Sequence, residues 1–217
     1  MYKVIIFDMD GTIIDTDYVI FKSWEEMIKT FKPKGYKVDR KQIATFSGPP
    51  IDYAINTLFP DSNYDDVLKE YRSRTGKYYD QYCHIFTHCA KVCRALKKDG
   101  YKLAIVTNKN YVRTKDCLKR AHIFNLFDFV VTCESVDSQK PDPAGMKLVL
   151  SHFGVTNKEV LAVGDTDYDY LAAKNANIDC VLMSMNERFY NLVSNPHPLA
   201  FCKNYDELYK EIKKYEN

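Results

Sequence analysis

Apolar positions along the chain fall into two patterns. Residues 4–7, 103–106, 129–132, 160–163 and 180–183 are short runs, apolar almost throughout, without the alternation of a half-exposed strand. Such runs suit strands covered on both faces, as in a parallel sheet. The second pattern has helical spacing. Cys89, Val92, Cys93 and Leu96 follow i, i+3, i+4, i+7 and meet Gly100 as a stop. Met146, Val149, Leu150 and Phe153 repeat it before Gly154, as do Tyr205, Leu208, Tyr209 and Ile212 near the end. Strands alternating with helices predict an α/β doubly wound, Rossmann-like fold around a parallel sheet.

The stretch from Asp17 to Tyr82 breaks the alternation. Its apolar stripes are all helical: Phe21, Trp24 and Ile28; Ile51, Ala54, Ile55 and Leu58; Tyr64, Val67, Leu68 and Tyr71. The spacing predicts an all-helical insertion at 17–82, joined by two linkers to a core made of 1–16 and 83–217. Tyr71, Tyr78, Tyr79 and Tyr82 read as helix-packing residues.

Composition narrows the function classes. The chain has 217 residues, 46% of them hydrophobic, enough for one core and a small satellite. A net charge of +2 with interspersed signs lacks the basic footprint of a nucleic-acid binder. No apolar run approaches the ~20 residues of a membrane span, and residues 4–7 are too short for a signal-peptide core. The expectation is a cytoplasmic protein, a monomer or weak homodimer, with no nucleic acid or membrane as partner. The cysteines number seven and include no Cys-x-x-Cys, so a disulfide framework is not expected. Cys89 and Cys93 read as core residues. His84 and His88 stand four apart but lack the Glu of a zinc-binding His-Glu-x-x-His.

Candidate chemistry gathers at predicted strand ends, where open α/β sheets bind ligands. The first strand runs into Asp8-Met9-Asp10-Gly11-Thr12, two carboxylates followed by a residue able to turn sharply. The second ends in Thr107-Asn108, either a helix cap or a hydroxyl and backbone N–H pair for phosphate oxygens. Lys140 precedes Pro141-Asp142-Pro143 and a helix; it is either an exposed loop lysine or a fixed ammonium beside a phosphoryl oxygen and a carboxylate. The fourth strand ends in Gly164-Asp165-Thr166-Asp167-Tyr168-Asp169. Carboxylates crowded at one sheet end call for a hard cation with oxygen ligands, and Mg2+ takes one or two of them with phosphate and water.

These four segments, in this order, resemble the four motifs of the haloacid dehalogenase superfamily, in its phosphoglycolate phosphatase-like branch. The helical insertion is similar to that family's cap, and the likeness spans nearly the whole chain. It implies a Mg2+-dependent phosphatase acting on a small phosphorylated metabolite. Asp8 would be the nucleophile that becomes an aspartyl-phosphate, and also a ligand of Mg2+. Asp10 would be general acid and then base, its backbone carbonyl also binding Mg2+. Thr107 and the Asn108 backbone would hold the phosphoryl group, and Lys140 would stabilise charge on Asp8 and phosphate. Asp165 would ligate the metal and Asp169 support its water shell; Asp167 falls at a variable position. Phe46-Ser47-Gly48-Pro49-Pro50 is either a turn into a helix or the family's loop facing the active site, which would give Ser47 and Gly48 substrate contacts. Ile85-Phe86-Thr87-His88 departs from the Pro- and Gly-containing turn common after the cap, which bears on the hinge. Two other readings remain. A β-phosphoglucomutase-like mutase shares the fold and both aspartates, but typically has Val at the position of Thr12 and an arginine near the cap loop. A non-catalytic phosphate-binding protein would be free to lose Asp8, Asp10, Lys140 or Asp165. Phosphoglycolate, pyrophosphate, a nucleotide and a sugar phosphate all stay open as substrates.

Overall fold

The computed structural model describes residues 1–185 and 197–215. The expected core span 83–217 takes in 186–196 and 216–217, which lie outside the described residues. In chain order the strands are β1 (Val4–Phe7), β2 (Ile14–Asp15), β3 (His84–Ile85), β4 (Lys102–Val106), β5 (Phe129–Val131), β6 (Val160–Gly164), β7 (Asp179–Met183) and β8 (Ala200–Cys202). The helices are α1 (Asp17–Phe31), α2 (Arg40–Ala44), α3 (Ile51–Leu58), α4 (Tyr64–Tyr82), α5 (Cys89–Lys98), α6 (Tyr111–Arg120), α7 (Ala144–Phe153), α8 (Asp167–Asn175) and α9 (Tyr205–Lys213). Among the described residues, six strands form a parallel sheet in the order β5-β4-β1-β6-β7-β8. This is the expected doubly wound α/β fold.

Both sheet faces are covered, which is why the strand runs lack alternation. Ile5, Phe7, Leu103, Ile105, Leu161 and Val163 point to one side, against Cys93 and Leu96 of α5 and Leu208 and Ile212 of α9. Val4, Ile6, Ala104, Val106 and Ala162 point to the other, against Met146 and Val149 of α7 and Ala172 and Ala173 of α8. Cys89 and Cys93 are buried in the first of these layers, as their helix face predicts. Phe7 stands level with Ile105 on one side and Val163 on the other, so β1, β4 and β6 deliver their following residues to one rim. That rim is the topological switch point, because the chain builds outward from β1 in both directions.

Helices α1 to α4 lie between β2 and β3 and have their own apolar cluster around Trp24, Met27, Ile55, Leu58 and Val67. The Trp24 ring stacks on Tyr71 with centroids 4.3 Å apart. The two crossings to and from this segment were expected as plain linkers. They instead pair as an antiparallel ribbon, Ile14 opposite Ile85 and Asp15 opposite His84, extended by Phe86 N–H donating to the Ile13 carbonyl at 3.1 Å. Pairing satisfies backbone groups that two separate crossings would leave to solvent. Immediately after it His88 takes a left-handed conformation (φ 65°), with Nδ1 2.6 Å from Asp206 Oδ2. His84 and His88 therefore stand on different elements and share no helix face. No helix among the described residues is long and apolar enough to cross a membrane.

Asp128 ties the sheet edge to α5. Its Oδ2 accepts from Leu103 N–H at 2.9 Å and lies 2.6 Å from Lys97 Nζ. Burial raises its pKa, but the Lys97 ammonium and the Leu103 amide outweigh this and hold it below the usual aspartate value. Stability from such a depressed group is present above the unfolded value of ~3.9 and lost as pH falls through the folded one. Asp128→Asn should therefore cost about 1 kcal/mol at pH 7. The cost should shrink towards zero in urea titrations at a pH below both values; a constant difference would reject this role.

Candidate active site

Asp8 follows β1 directly, and its N–H donates to the Val163 carbonyl at 2.8 Å, which carries the strand pairing one residue further. Asp8 is buried, 8% exposed as a residue. Lys140 is not the exposed loop lysine of the alternative reading: it is 4% exposed, with Nζ 2.5 Å from Asp8 Oδ1 and 2.5 Å from Asp169 Oδ1. Burial would discharge an isolated ammonium, but Asp169 and Asp8 more than offset it, and the Lys140 pKa rises above the ordinary lysine value.

Asp169 is placed by the start of α8. As the third residue of a capping box it accepts Thr166 N–H at 3.0 Å and the Thr166 hydroxyl at 2.7 Å on Oδ2. The same oxygen accepts Asp165 N–H at 3.2 Å. Both Asp169 oxygens are thus engaged within the protein. Asp165 accepts the Thr12 hydroxyl on Oδ1 at 3.0 Å. Carboxylate oxygens of Asp8, Asp165 and Asp169 all lie within 4.8 Å of one another. Burial, above all, pushes Asp8 up to about 7 against the pull of Lys140, with Asp169 and Asp10 adding to the rise. Burial and then the charges of Asp169 and Asp8 push Asp165 well above the usual range. Three carboxylates against one ammonium leave the ionised cluster two negative charges in excess. An all-oxygen donor set with that deficit fits a small divalent cation.

Asp10 sits one turn of the loop further on, away from the triad. Its carboxylate receives Lys109 Nζ at 2.6 and 2.9 Å and the Tyr79 hydroxyl at 3.3 Å, and Lys109 also bonds the Tyr79 hydroxyl. Burial works against the Lys109 charge, but Asp10 overrides it and raises the Lys109 pKa. Neither partner was anticipated. Lys109 follows Thr107-Asn108 and reads as an ordinary loop lysine, while Tyr79 reads as helix packing. Tyr79 is indeed buried, yet it turns its hydroxyl to the site.

The second motif divides its work. Thr107 is buried, and its hydroxyl accepts Lys109 N–H at 3.2 Å. The Asn108 side chain joins three segments. Its Oδ1 accepts Lys140 N–H at 2.9 Å, and its Nδ2 donates to the Lys140 carbonyl at 3.1 Å and the Gly48 carbonyl at 2.9 Å. That amide is a brace, with both Nδ2 hydrogens and one Oδ1 lone pair engaged within the protein. Gly48 has φ +102°, and a Cβ there would stand 2.9 Å from Thr166 Cγ2. Glycine is required both by the dihedral and by the close approach. Residues 46–50 combine both readings: Pro50 is the N-cap of α3, and Ser47 and Gly48 line the site, Gly48 packed against Thr166 of the core.

A cavity of about 160 Å³ opens from Asp8 and Asp10. Ser47, Gly48, Thr107 and Asn108 line it near the carboxylates, with Tyr71 and Tyr79 of α4. Arg72 of α4 and Arg113 of α6 also line it. A Cβ on Gly76 would fall 2.5 Å from Arg113 Nη2, so the glycine one turn after Arg72 makes room for this guanidinium.

Known proteins share this fold. The sequence profile of the haloacid dehalogenase-like hydrolases matches residues 5–183. Pyrophosphatase PpaX of Bacillus velezensis is 34% identical over 172 residues, covering 79% of this chain and 78% of its own. A Streptococcus pneumoniae hydrolase of the haloacid dehalogenase-like family superposes with a TM-score of 0.83 at 21% identity, over 97% of this chain and 98% of its own. A Haemophilus somnus 129PT protein, named as a predicted phosphoglycolate phosphatase, does so with a TM-score of 0.80 at 24% identity, over 96% and 97%. With the profile matching most of its length and the motif residues gathered at one sheet rim, the chain belongs to the haloacid dehalogenase-like hydrolases.

Proposed function

We propose that this hydrolase is a phosphatase that takes the phosphoryl group of a small anionic substrate onto Asp8 and then releases it to water. The observation that carries this reading is the buried Asp8 carboxylate, held 2.5 Å from Lys140 at the mouth of a cavity beside Asp165. An Asp8 oxygen attacks phosphorus, and the bond from phosphorus to the leaving oxygen breaks. Asp10, oriented by Lys109 and Tyr79, gives that oxygen a proton. Water then attacks the phosphoryl group on Asp8 and returns a proton to Asp10, and the Asp8 carboxylate is restored. The Thr107 hydroxyl and Asn108 N–H hold phosphoryl oxygens. Asp8 and Asp165, with the Asp10 main-chain carbonyl, would hold Mg2+. Asp169 keeps Lys140 and the Asp165 backbone in place. When bound, Mg2+ supplies the counter-charge that lets two anions meet.

In the same reading, residues 17–82 act as a cap over a core of 1–16 and 83–217, and choose the substrate. The catalytic groups touch only the phosphoryl end, so the leaving group is left to Arg72, Arg113 and the aromatic wall. Asp10 is already matched by Lys109, and neither arginine forms an ion pair with a carboxylate among the described residues. Two guanidiniums in one cavity suit a second anionic group on the substrate. Pyrophosphate, after which a relative is named, and phosphoglycolate, after which a structural neighbour is named, both carry one.

Two experiments test the reading. With Mg2+ the protein should hydrolyse a generic aryl phosphate, and chelator or Asp8→Asn should remove the activity. Full turnover in chelator, with metal content checked, would reject the metal; substantial activity in Asp8→Asn would reject the nucleophile. Arg72→Gln and Arg113→Gln should raise KM about tenfold or more for pyrophosphate or phosphoglycolate and leave the aryl phosphate nearly unchanged. Equal effects on both substrate types would remove the second-anion site.

A further inference from the structure

Two thiols meet where the helical segment rejoins the core. Cys83 follows α4 and leads into β3; Cys117 lies on α6. They are 34 residues apart in the chain, yet their sulfurs stand 3.7 Å from each other, the Cys83 thiol donating to Cys117. Neither takes part in the chemistry above. Closing the gap to the ~2.05 Å of a disulfide takes about 1.7 Å. Cys83 is in extended backbone (φ −87°, ψ 103°) outside the helix, so it can supply that movement without unwinding α4 or α6.

The surroundings favour reaction at this pair. Cys83 is half-buried, which gives a small oxidant access, while Cys117 is buried behind it. The hydrogen bond from Cys83 lowers the Cys117 pKa, burial opposes, and the Lys109 ammonium lowers it further. The ordinary thiol is a poor nucleophile and the thiolate a good one. Disulfides in reducing compartments are typically redox-sensing rather than structural.

We infer that Cys83 and Cys117 form a redox modification site whose disulfide fastens the end of α4 to α6 and locks the helical segment over the cavity. The oxidant is a peroxide. The Cys117 sulfur attacks one peroxide oxygen, the O–O bond breaks, and a sulfenic acid forms as the first water leaves. The Cys83 sulfur then attacks the Cys117 sulfur, and the hydroxyl leaves with a proton as the second water. Two thiols lose two electrons, and hydrogen peroxide takes them up; a dithiol reductant reverses the change. The lock, though not the disulfide, rests on the proposed phosphatase activity, since it acts by stopping substrate and product from exchanging.

The test uses the full, reduced chain treated with hydrogen peroxide. Alkylation of remaining thiols, intact mass and peptide mapping without reductant should show one bond, linking Cys83 to Cys117, which dithiothreitol removes. Aryl phosphate turnover should fall at least ~10-fold with the same time course and recover on reduction, while Cys83→Ser should keep its turnover in peroxide. Mapping on the unmutated chain decides the disulfide whatever the variant does. No Cys83–Cys117 link, or a link between other cysteines, would overturn the site; a complete link with unchanged turnover would overturn the lock. If the reduced protein turned over no phosphate ester at all, the phosphatase reading would fall while mapping still judged the disulfide.

Discussion

The site depends on one buried ammonium. Lys140 bridges Asp8 and Asp169 at 2.5 Å each, and all three side chains are at most a tenth exposed. Carboxylates this deep exist as a set only because a counter-charge stands among them. Removing one member of a buried pair typically costs ~3–5 kcal/mol, since the other is left uncompensated. The rest of the rim keeps that charge in position. Asn108 clamps both backbone polar groups of Lys140, and the α8 capping box fixes Asp169. The parallel sheet makes this rim the place for such a cluster: its faces are apolar on both sides, and its strand ends are where polar groups can gather.

The same residues connect the core to the helical segment. Asn108 reaches from Lys140 to the Gly48 carbonyl, and the Tyr79 hydroxyl reaches from α4 to Asp10. A shift of α4 therefore alters the groups around Asp10 first, while Lys140 meets the helical segment through the Asn108 bond to the Gly48 carbonyl. On the proposed function, this arrangement would let core groups hold the phosphoryl group while the helical segment reads what it is attached to. It also gives the Cys83–Cys117 contact its leverage, because that contact lies at the same end of α4 as Tyr79 and beside Lys109.

Much of this was legible in the sequence, for physical reasons. Residues 4–7 and 160–163 read as strands because two-sided burial demands continuous apolar runs. Asp8 and Asp165 were legible because their motifs are local and stand next to those strands, and Lys140 because it precedes Pro141-Asp142-Pro143 and a helix. What escaped depends on contacts between distant segments. The β2–β3 ribbon is two residues wide on each side and has no period to detect. Strand β8 is three residues long and carries an exposed Phe201. Helix α2 spans only Arg40–Ala44, little more than one turn, too short to repeat a stripe. Lys109 has no local mark that tells it from a surface lysine; only the fold shows that it meets Asp10. For Asn108, the sequence motif supports a backbone role in phosphate binding, and its side-chain role as a brace appears only once Gly48 and Lys140 are brought beside it.

The central claim is that the carboxylate held by Lys140 is the one that receives the phosphoryl group. Its most direct test is to mix protein, Mg2+ and substrate, quench in acid during turnover, and locate the covalent phosphoryl group by peptide mass mapping. The account predicts a phosphoryl group on Asp8, sensitive to hydroxylamine as an acyl phosphate is, and strongly reduced in Lys140→Met. A phosphoryl group on Asp10 or any other residue, or steady turnover with Asp8 never modified, would contradict it.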